Sequence, residues 1–426
     1  MRILFFIGCA LTATGCARSY NPLPISIDLF GQAASSPSVV NYKSLYGFKG
    51  YPSDGASPVA SLIAVNGALY GTTSGGGTNA CGNSDPGCGT VFDVSTSGRE
   101  DILYDFGKSS TDGAEPNANL TDVSGTLYGT TVYGGTHGYG TVFKITTAGK
   151  ESMLYSFKGK PDGEYPNPLV NVRGKLYGTT ENGGSSSGCR NVYGNPGCGT
   201  VFEVDPSTGS ERVLYSFKDG KDGAEPLDAL IVLNGSLYGT TSFGGSVCNY
   251  KGACGTVFSV TTAGQERVLH SFGKGRDGEN PVAGLVALNG TLYGTTPQGG
   301  RVGEGTVFKI TTSGQEAVLY SFTGGISGHF SDGVAPHAAL TPLRGILYGT
   351  TAYGGKECST GGGCGTVFSV TTAGEEHVIH SFGKGTDGAN PFAGLLAIKN
   401  TLYSTTVYGG SCGRYGGCGT VFSISP

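Results

Sequence analysis

Three sequence blocks recur seven times along the chain, and this repetition limits the possible folds more than any other feature. The block Leu-Tyr-Gly-Thr-Thr precedes each copy of Gly-Thr-Val-Phe, with Ser404 in place of glycine in the last copy. A segment of the type Val-Leu-Tyr-Ser-Phe completes the set. Repeats of this length are typical of closed propellers or open solenoids. The Gly-Thr-Val-Phe blocks begin at Gly89, Gly140, Gly199, Gly255, Gly305, Gly365 and Gly419.

One complete repeat predicts four antiparallel strands, at 284–288, 291–296, 305–312 and 315–322. Asn289-Gly290 joins the first two strands, and Asn-Gly is a preferred two-residue hairpin turn because both positions tolerate positive φ. The chain has 78 glycines in 426 residues, well above the usual share of about 7%, as a fold with many tight turns requires. Seven such units predict an all-β, seven-bladed β-propeller.

The two ends of the repeat region indicate a closed ring rather than an open solenoid. Residues 43–48 form a fourth strand without its first three, and residues 419–425 form a third strand without its fourth. We predict that they complete blade 7 together with strands near 394–398 and 401–406. Closure of this kind leaves no open sheet edge between the first and last units.

The N-terminus has the layout of a bacterial export signal. Arg2 precedes an apolar run at 3–11, and small residues then lead to Cys16. This end resembles a lipobox, which predicts a lipid-anchored Cys16; ordinary signal cleavage near Gly15 is the alternative. The predicted location is therefore outside the cytoplasm, in the periplasm or at the cell surface. The predicted organisation is a signal peptide with lipobox at 1–16, a tether at 17–42 and the propeller at 43–426.

Ten of the 12 cysteines form five local pairs, each between the second and third strands of a repeat. The second cysteine of each pair directly precedes Gly-Thr-Val-Phe. In an exported chain this pattern predicts disulfides that close surface loops. Metal binding is the alternative, but histidine is absent beside the pairs. The pairs are Cys81/Cys88, Cys189/Cys198, Cys248/Cys254, Cys358/Cys364 and Cys412/Cys418.

An Asp-Gly-x-x-Pro motif occurs in all seven repeats, on the face that carries the longer loops. One interpretation is a ring of carboxylates that holds calcium. The alternative is an Asx-type turn in each inter-blade connection, with proline at the entry to the next inner strand. Seven identical copies favour the turn. The aspartates are Asp54, Asp112, Asp162, Asp222, Asp277, Asp332 and Asp387.

The position two residues after Leu-Tyr-Gly-Thr-Thr differs among the repeats and is aromatic in four of them. These rings could stack on sugars or contact a peptide. Packing over neighbouring loops is the alternative. The four ligand-binding candidates are Tyr133, Phe243, Tyr353 and Tyr408.

Histidines mark two other departures from the repeat. The long inter-blade segment 324–337 contains His329, Asp332 and His337, which together could ligate a metal. Two further histidines replace the tyrosine of the fourth strand, and we predict that both lie at the surface: His270 and His380.

Several classes of function lack support in the sequence. The net charge is -4, without the basic excess on which nucleic-acid binding depends. The sequence contains no Gly-x-Ser-x-Gly elbow with a plausible order of histidine partner, no His-Glu-x-x-His motif and no phosphate loop. Two carboxylates across the ring could still act on a glycoside, although no pair is selected by the sequence.

The recurring blocks over 44–426 resemble the GloVer-type family of bacterial extracellular tandem repeats, and the strand order is similar to that of kelch-type propellers. The resemblance implies an exported or surface-anchored protein and brings no activity with it. We expect a monomeric, lipid-anchored binding or scaffold module whose loop-rich face contacts an extracellular glycan or protein. The alternative is a carbohydrate-active enzyme with its site at the channel mouth. No cofactor is expected apart from the possible calcium.

Overall fold

The computed structural model describes residues 40–426 apart from ten gaps. The described residues form seven sheets of four antiparallel strands, and blade 3 gains one further strand at Gly163–Pro166. Within them, the helical content is a single turn of 3-10 helix at Gly220–Asp222, and no helix is long and apolar enough to cross a membrane. The prediction of an all-β propeller is confirmed. The gaps are 82–86, 187–188, 190–196, 219, 247–253, 325–331, 357–362, 385, 411 and 413–416.

Each blade runs from a short inner strand to a longer outer strand. Blades 1 to 3 comprise Ile63–Val65, Ala68–Thr73, Thr90–Val94 and Glu100–Asp105; Thr121–Val123, Thr126–Thr131, Thr141–Thr146 and Glu151–Ser156; and Val170–Val172, Lys175–Gly183, Thr200–Val204 and Glu211–Ser216. Blades 4 and 5 comprise Ile231–Leu233, Ser236–Thr241, Thr256–Thr261 and Glu266–Ser271; and Val286–Leu288, Thr291–Thr296, Thr306–Ile310 and Glu316–Ser321. Blades 6 and 7 comprise Thr341–Leu343, Ile346–Thr351, Thr366–Val370 and Glu376–Ser381; and Leu396–Ile398, Thr401–Thr406, Thr420–Ser425 and Asn41–Gly47.

Two-residue strands pair at three of the connections between blades. These pairs join Gly55–Ala56 with Gly75–Gly76, Gly113–Ala114 with Tyr133–Gly134, and Gly278–Glu279 with Gln298–Gly299.

The first and last strands of the propeller close the ring. Asn41–Gly47 pairs antiparallel with Thr420–Ser425, in a register that places Tyr46 opposite Val421. The N–H of Phe48 then donates to the carbonyl of Gly419 at 2.9 Å. Blade 7 is therefore built from both ends of the chain, as the repeat pattern predicts.

A phenylalanine pair joins every blade to the next. The ring that follows each outer strand packs edge-on against the phenylalanine of Gly-Thr-Val-Phe in the following blade, with centroids 5.1–5.2 Å apart. Both rings are fully buried, and burial of one such side chain contributes about 1.5–3 kcal/mol. The predicted inter-blade position is confirmed for Phe92, Phe143, Phe202, Phe258, Phe308, Phe368 and Phe422.

The glycine of Gly-Thr-Val-Phe and the proline of Asp-Gly-x-x-Pro meet wherever one blade packs against the next, a contact region called a joint below. Gly199 has φ +90°, and a Cβ there would lie 2.7 Å from Cδ of Pro226 in the next blade. At the closing joint, a Cβ on Gly419 would lie 2.5 Å from Cδ of Pro58. Because only glycine allows this approach, both motifs are parts of one structural contact.

Disulfides close the loops between the second and third strands. The bonded pairs Cys81–Cys88, Cys189–Cys198 and Cys412–Cys418 have Cα atoms 5.0, 5.1 and 5.7 Å apart. Cys254 and Cys364 are also disulfide-bonded, whereas Cys248 and Cys358 lie outside the described residues. Because such bonds persist in oxidising compartments, they indicate an exported protein.

Candidate functional site

The aspartate of each Asp-Gly-x-x-Pro motif is bonded within its own joint. Asp222 accepts hydrogen bonds from the Tyr215 hydroxyl at 2.7 Å and from the N–H of Lys218 at 3.1 Å. This geometry is that of a local turn, the alternative interpretation of the motif; calcium binding stays a prediction. The same tyrosine contact recurs in the pairs Tyr46–Asp54, Tyr104–Asp112, Tyr155–Asp162 and Tyr320–Asp332.

Histidine replaces the tyrosine in the two remaining joints. The Nε2 atoms of His270 and His380 lie 3.0 Å from Oδ2 of Asp277 and Asp387. The predicted surface position of both histidines is wrong, because their side chains are only 20% and 19% exposed. The ring occupies the position of the tyrosine and is covered by the neighbouring blade.

The four aromatic candidates fall into two groups. Tyr133, Tyr353 and Tyr408 are 43%, 41% and 44% exposed, whereas Phe243 packs against the core between blades 3 and 4. Exposure leaves the three tyrosines available to a ligand, and their binding role stays a prediction.

The predicted metal group at 324–337 is divided between two environments. Asp332 accepts hydrogen bonds from the hydroxyls of Tyr320 and Thr323, at 2.8 and 2.9 Å. His337 instead lines the central channel, while His329 lies outside the described residues.

A cavity of about 460 Å³ lies at the mouth of the central channel and is lined by all seven blades. The residue directly after the proline of each Asp-Gly-x-x-Pro motif contributes to it. These residues differ in chemistry from blade to blade, although the motif before them does not. They are Val59, Asn117, Asn167, Leu227, Val282, His337 and Phe392.

Polar groups collect on the blade 2 to blade 4 side of this channel mouth. Asp228 accepts the N–H groups of Ala229 and Gly284, both at 2.6 Å, and so bridges blades 4 and 5. Burial raises the pKa of the Asp228 carboxyl and also that of Glu181. The amides of three asparagines line the same side: Asn117, Asn119 and Asn167.

Aromatic rings collect on the blade 6 to blade 7 side. Phe392 contacts His337 edge-on at 5.2 Å and Tyr353 at 6.2 Å between ring centroids. The Nδ1–H of His337 donates to the carbonyl of Ala335 at 2.8 Å, and burial lowers the pKa of the imidazole. Tyr133 of blade 2 supplies a ring on the other side of the cavity.

The sequence pattern placed the alternative, enzymatic site at the channel mouth, but of the lining residues it indicated only Tyr133 and His337. Each lining residue is a single variable position within a repeat, and the blades that supply them are far apart in sequence. One sequence signal could have indicated them: the residue directly after the motif proline differs among the repeats, whereas the proline itself does not.

The fold and its channel mouth define a seven-bladed β-propeller with an asymmetric polar cavity on its axis. The profile of the Gloeobacter/Verrucomicrobia repeat matches residues 33–193 and 188–361. The chain belongs to this repeat family, as the recurring blocks indicate.

Solved structures match this chain at low sequence identity. The extracellular domain of a hybrid two-component system from B. thetaiotaomicron matches with a TM-score of 0.55 at 9% identity, covering 90% of this chain and 39% of that one. The computationally designed Ika8 protein gives 0.46 at 15% identity, covering 89% and 99%. A gluconolactonase from Xanthomonas campestris gives 0.40 at 15% identity, covering 70% and 81%. No curated protein matches the sequence.

Proposed function

We propose that the protein is an exported binding module that takes a glycan at the channel mouth. The observation that carries this proposal is the change of residue directly after a proline that all seven repeats share. Closure of the ring accounts for the repeated Gly and Phe positions, whose contacts recur between all neighbouring blades. It does not account for Asn117, His337 and Phe392 at equivalent positions around one cavity.

The cavity chemistry matches the two kinds of surface on a sugar. Sugar hydroxyls both donate and accept hydrogen bonds, which the amides of Asn117 and Asn119 and the carboxyl of Glu181 can exchange. The C–H faces of a pyranose stack on aromatic rings, which Phe392 and Tyr133 supply. Tyr133 lies in blade 2 with Asn117, and Phe392 lies across the mouth at the entry to blade 7, so a bound sugar would contact both kinds of surface.

Glycan binding should weaken when the channel mouth is changed. A glycan array with the mature protein identifies a ligand, and calorimetry then measures its affinity. Asn117→Ala is expected to reduce affinity about tenfold, since loss of one hydrogen bond costs about 1–1.5 kcal/mol. Asn117 is exposed, so the variant should remain folded.

Two tyrosines at the same repeat position provide a matched control. Tyr133 and Tyr408 are equally exposed, but only Tyr133 lines the cavity. Tyr133→Ala should weaken binding and Tyr408→Ala should not. Equal losses in both variants, or binding that none of these changes affects, would remove the channel mouth as the ligand site.

Catalysis on a carbohydrate is the second candidate, and a specific observation favours it. Glu181, Asp228 and His337 are non-equivalent ionisable residues that line one cavity. A carboxyl with a raised pKa can serve as a general acid. Cleavage of an array glycan, abolished by Glu181→Gln while binding persists, would replace the binding proposal with this one.

Anchoring through Cys16 is the proposed mode of attachment. The lipobox-like segment and the disulfides of the propeller support export, and Cys16 would then carry the lipid. Mass spectrometry of the N-terminal peptide is expected to show a lipid-modified Cys16. An unmodified N-terminus created by cleavage near Gly15 would show instead that the protein is released.

A further inference from the structure

The joints between blades place a carboxylate pair beside one ring side chain. In the joint between blades 3 and 4, Tyr215 donates to Asp222, and Glu266 of the following blade lies on the other side of the hydroxyl. Because a neutral tyrosine hydroxyl is not among the usual zinc ligands, this joint is not a candidate zinc site.

The joint between blades 4 and 5 has a different donor set. His270 takes the tyrosine position, next to Asp277 and to Glu316 of blade 5. One ligand atom from each of these three residues lies within 4.8 Å of the others, and the Nε2–Oδ2 distance is 3.0 Å. Ligand atoms around a tetrahedral zinc lie about 3.3 Å apart, given bonds of about 2.0–2.1 Å. The group therefore has ligand spacing suited to a metal.

The surroundings orient one of these ligands, Asp277, and leave an oxygen of another unpartnered. Oδ1 of Asp277 accepts the N–H groups of Gly273 and Lys274 at 2.8 and 3.0 Å, which directs Oδ2 toward His270. Oε1 of Glu316 is buried without a hydrogen-bond partner among the described residues. The equivalent oxygens of Glu100, Glu211, Glu266 and Glu376 also lack a partner, so the feature particular to this joint is the imidazole beside the two carboxylates.

A neighbouring pocket of about 630 Å³ gives a route for entry. Asp277 and Glu316 line it, so solvent can complete the coordination of an ion. Arg276 and Arg301 line it as well and would compete for the carboxylates. This competition disfavours calcium, which relies on oxygen ligands alone, and favours an ion that bonds strongly to imidazole.

We propose that His270, Asp277 and Glu316 form a zinc site that joins blade 4 to blade 5. The remaining histidine joint is an internal comparison: His380 and Asp387 are present, but Tyr42 stacks on the imidazole at 4.2 Å where the other joints have glutamate. That joint has two of the three ligands and is not proposed to bind zinc.

Calorimetric titration of the metal-free, untagged protein with Zn²⁺ tests the proposal. The expected stoichiometry is one ion per chain for the wild type and for His380→Tyr. His270→Tyr should abolish binding at this site, and it should fold because it restores the tyrosine that most of the joints carry. Zinc should raise the Tm of the wild type but not that of His270→Tyr.

A gain-of-site variant makes the test sharper. Tyr215→His places imidazole beside Asp222 and Glu266, which should raise the stoichiometry from one to two. Absence of zinc binding by the wild type, or equal binding by the wild type and His270→Tyr, would overturn the proposal. Loss of zinc binding in His380→Tyr would show that the ion binds between blades 6 and 7. That result would overturn the proposal as well.

Discussion

Replacement of Phe48 by alanine is expected to lower the free energy of unfolding by about 3–5 kcal/mol, the usual cost of a buried Phe→Ala change. Phe48 is fully buried and packs edge-on against Phe92 of blade 1, at 5.1 Å between ring centroids. It follows the strand that completes blade 7 and lies in one buried cluster with Val421 of the last strand, so its ring packs against both ends of the propeller. Urea denaturation measures the change.

Two control variants distinguish the effect of ring closure from the cost of removing any buried ring or any outer-strand side chain. Phe217→Ala removes the equivalent ring after the outer strand of blade 3, whose four strands are consecutive in the chain, and should cost the same amount. Met153→Ala changes an outer-strand side chain that is 45% exposed and should stay within about 0.5 kcal/mol of the wild type. A Phe48→Ala cost far below that of Phe217→Ala would mean that the ring is open in solution.

The repeat allowed the strands to be predicted closely from sequence. The second strand of blade 5 was predicted at 291–296 and is Thr291–Thr296 in the structure. The third was predicted at 305–312 but spans Thr306–Ile310. Gly305 has φ +100°, and Thr311 accepts the N–H of Gly314 in the following turn, so neither end continues the ladder. Errors were thus confined to strand ends.

The sequence pattern did not predict which side chains of neighbouring blades contact each other. His270 was predicted to lie at the surface because it lies on an outer strand, where one face normally contacts solvent. The next blade covers that face and brings Glu316 close to the imidazole. Likewise, Asn117 and Asp228 line one cavity because the ring curves, and linear spacing does not report curvature. Contacts that depend on closure of the ring could therefore not be predicted from the sequence.

The free energy of unfolding is expected to fall as pH rises from 5 to 8. Five glutamates at the start of outer strands have a pKa raised from 4.5 to about 7, first by burial and then by the charge of the aspartate in the same joint. The folded protein therefore binds more protons than the unfolded chain between these two values, and stability is lost as pH rises through that window. The glutamates are Glu100, Glu151, Glu211, Glu266 and Glu376.

The pKa shift and the exposure of these carboxyls set the size of the expected loss in the free energy of unfolding. A shift of that extent corresponds to at most about 3 kcal/mol per carboxyl. Because these carboxyls are partly exposed, screening by solvent reduces the figure to about 1 kcal/mol each, or about 5 kcal/mol over the five joints. One buried imidazole opposes the trend: the lowered pKa of His337 reduces stability as pH falls below about 6.5.

A neutral substitution at one joint isolates the contribution of a single carboxyl. Glu266 faces Asp222, Tyr215 and Lys218, and only the aspartate adds negative charge beside it. Glu266→Gln should raise the free energy of unfolding by about 1 kcal/mol at pH 8 and leave it unchanged at pH 5, since the native carboxyl is already neutral there. Glu375→Gln, at an exposed position in a turn, should change neither value. Urea denaturation at both pH values measures the difference. An equal effect of Glu266→Gln at pH 5 and pH 8 would show that packing, rather than charge repulsion between the two carboxylates, governs the joint.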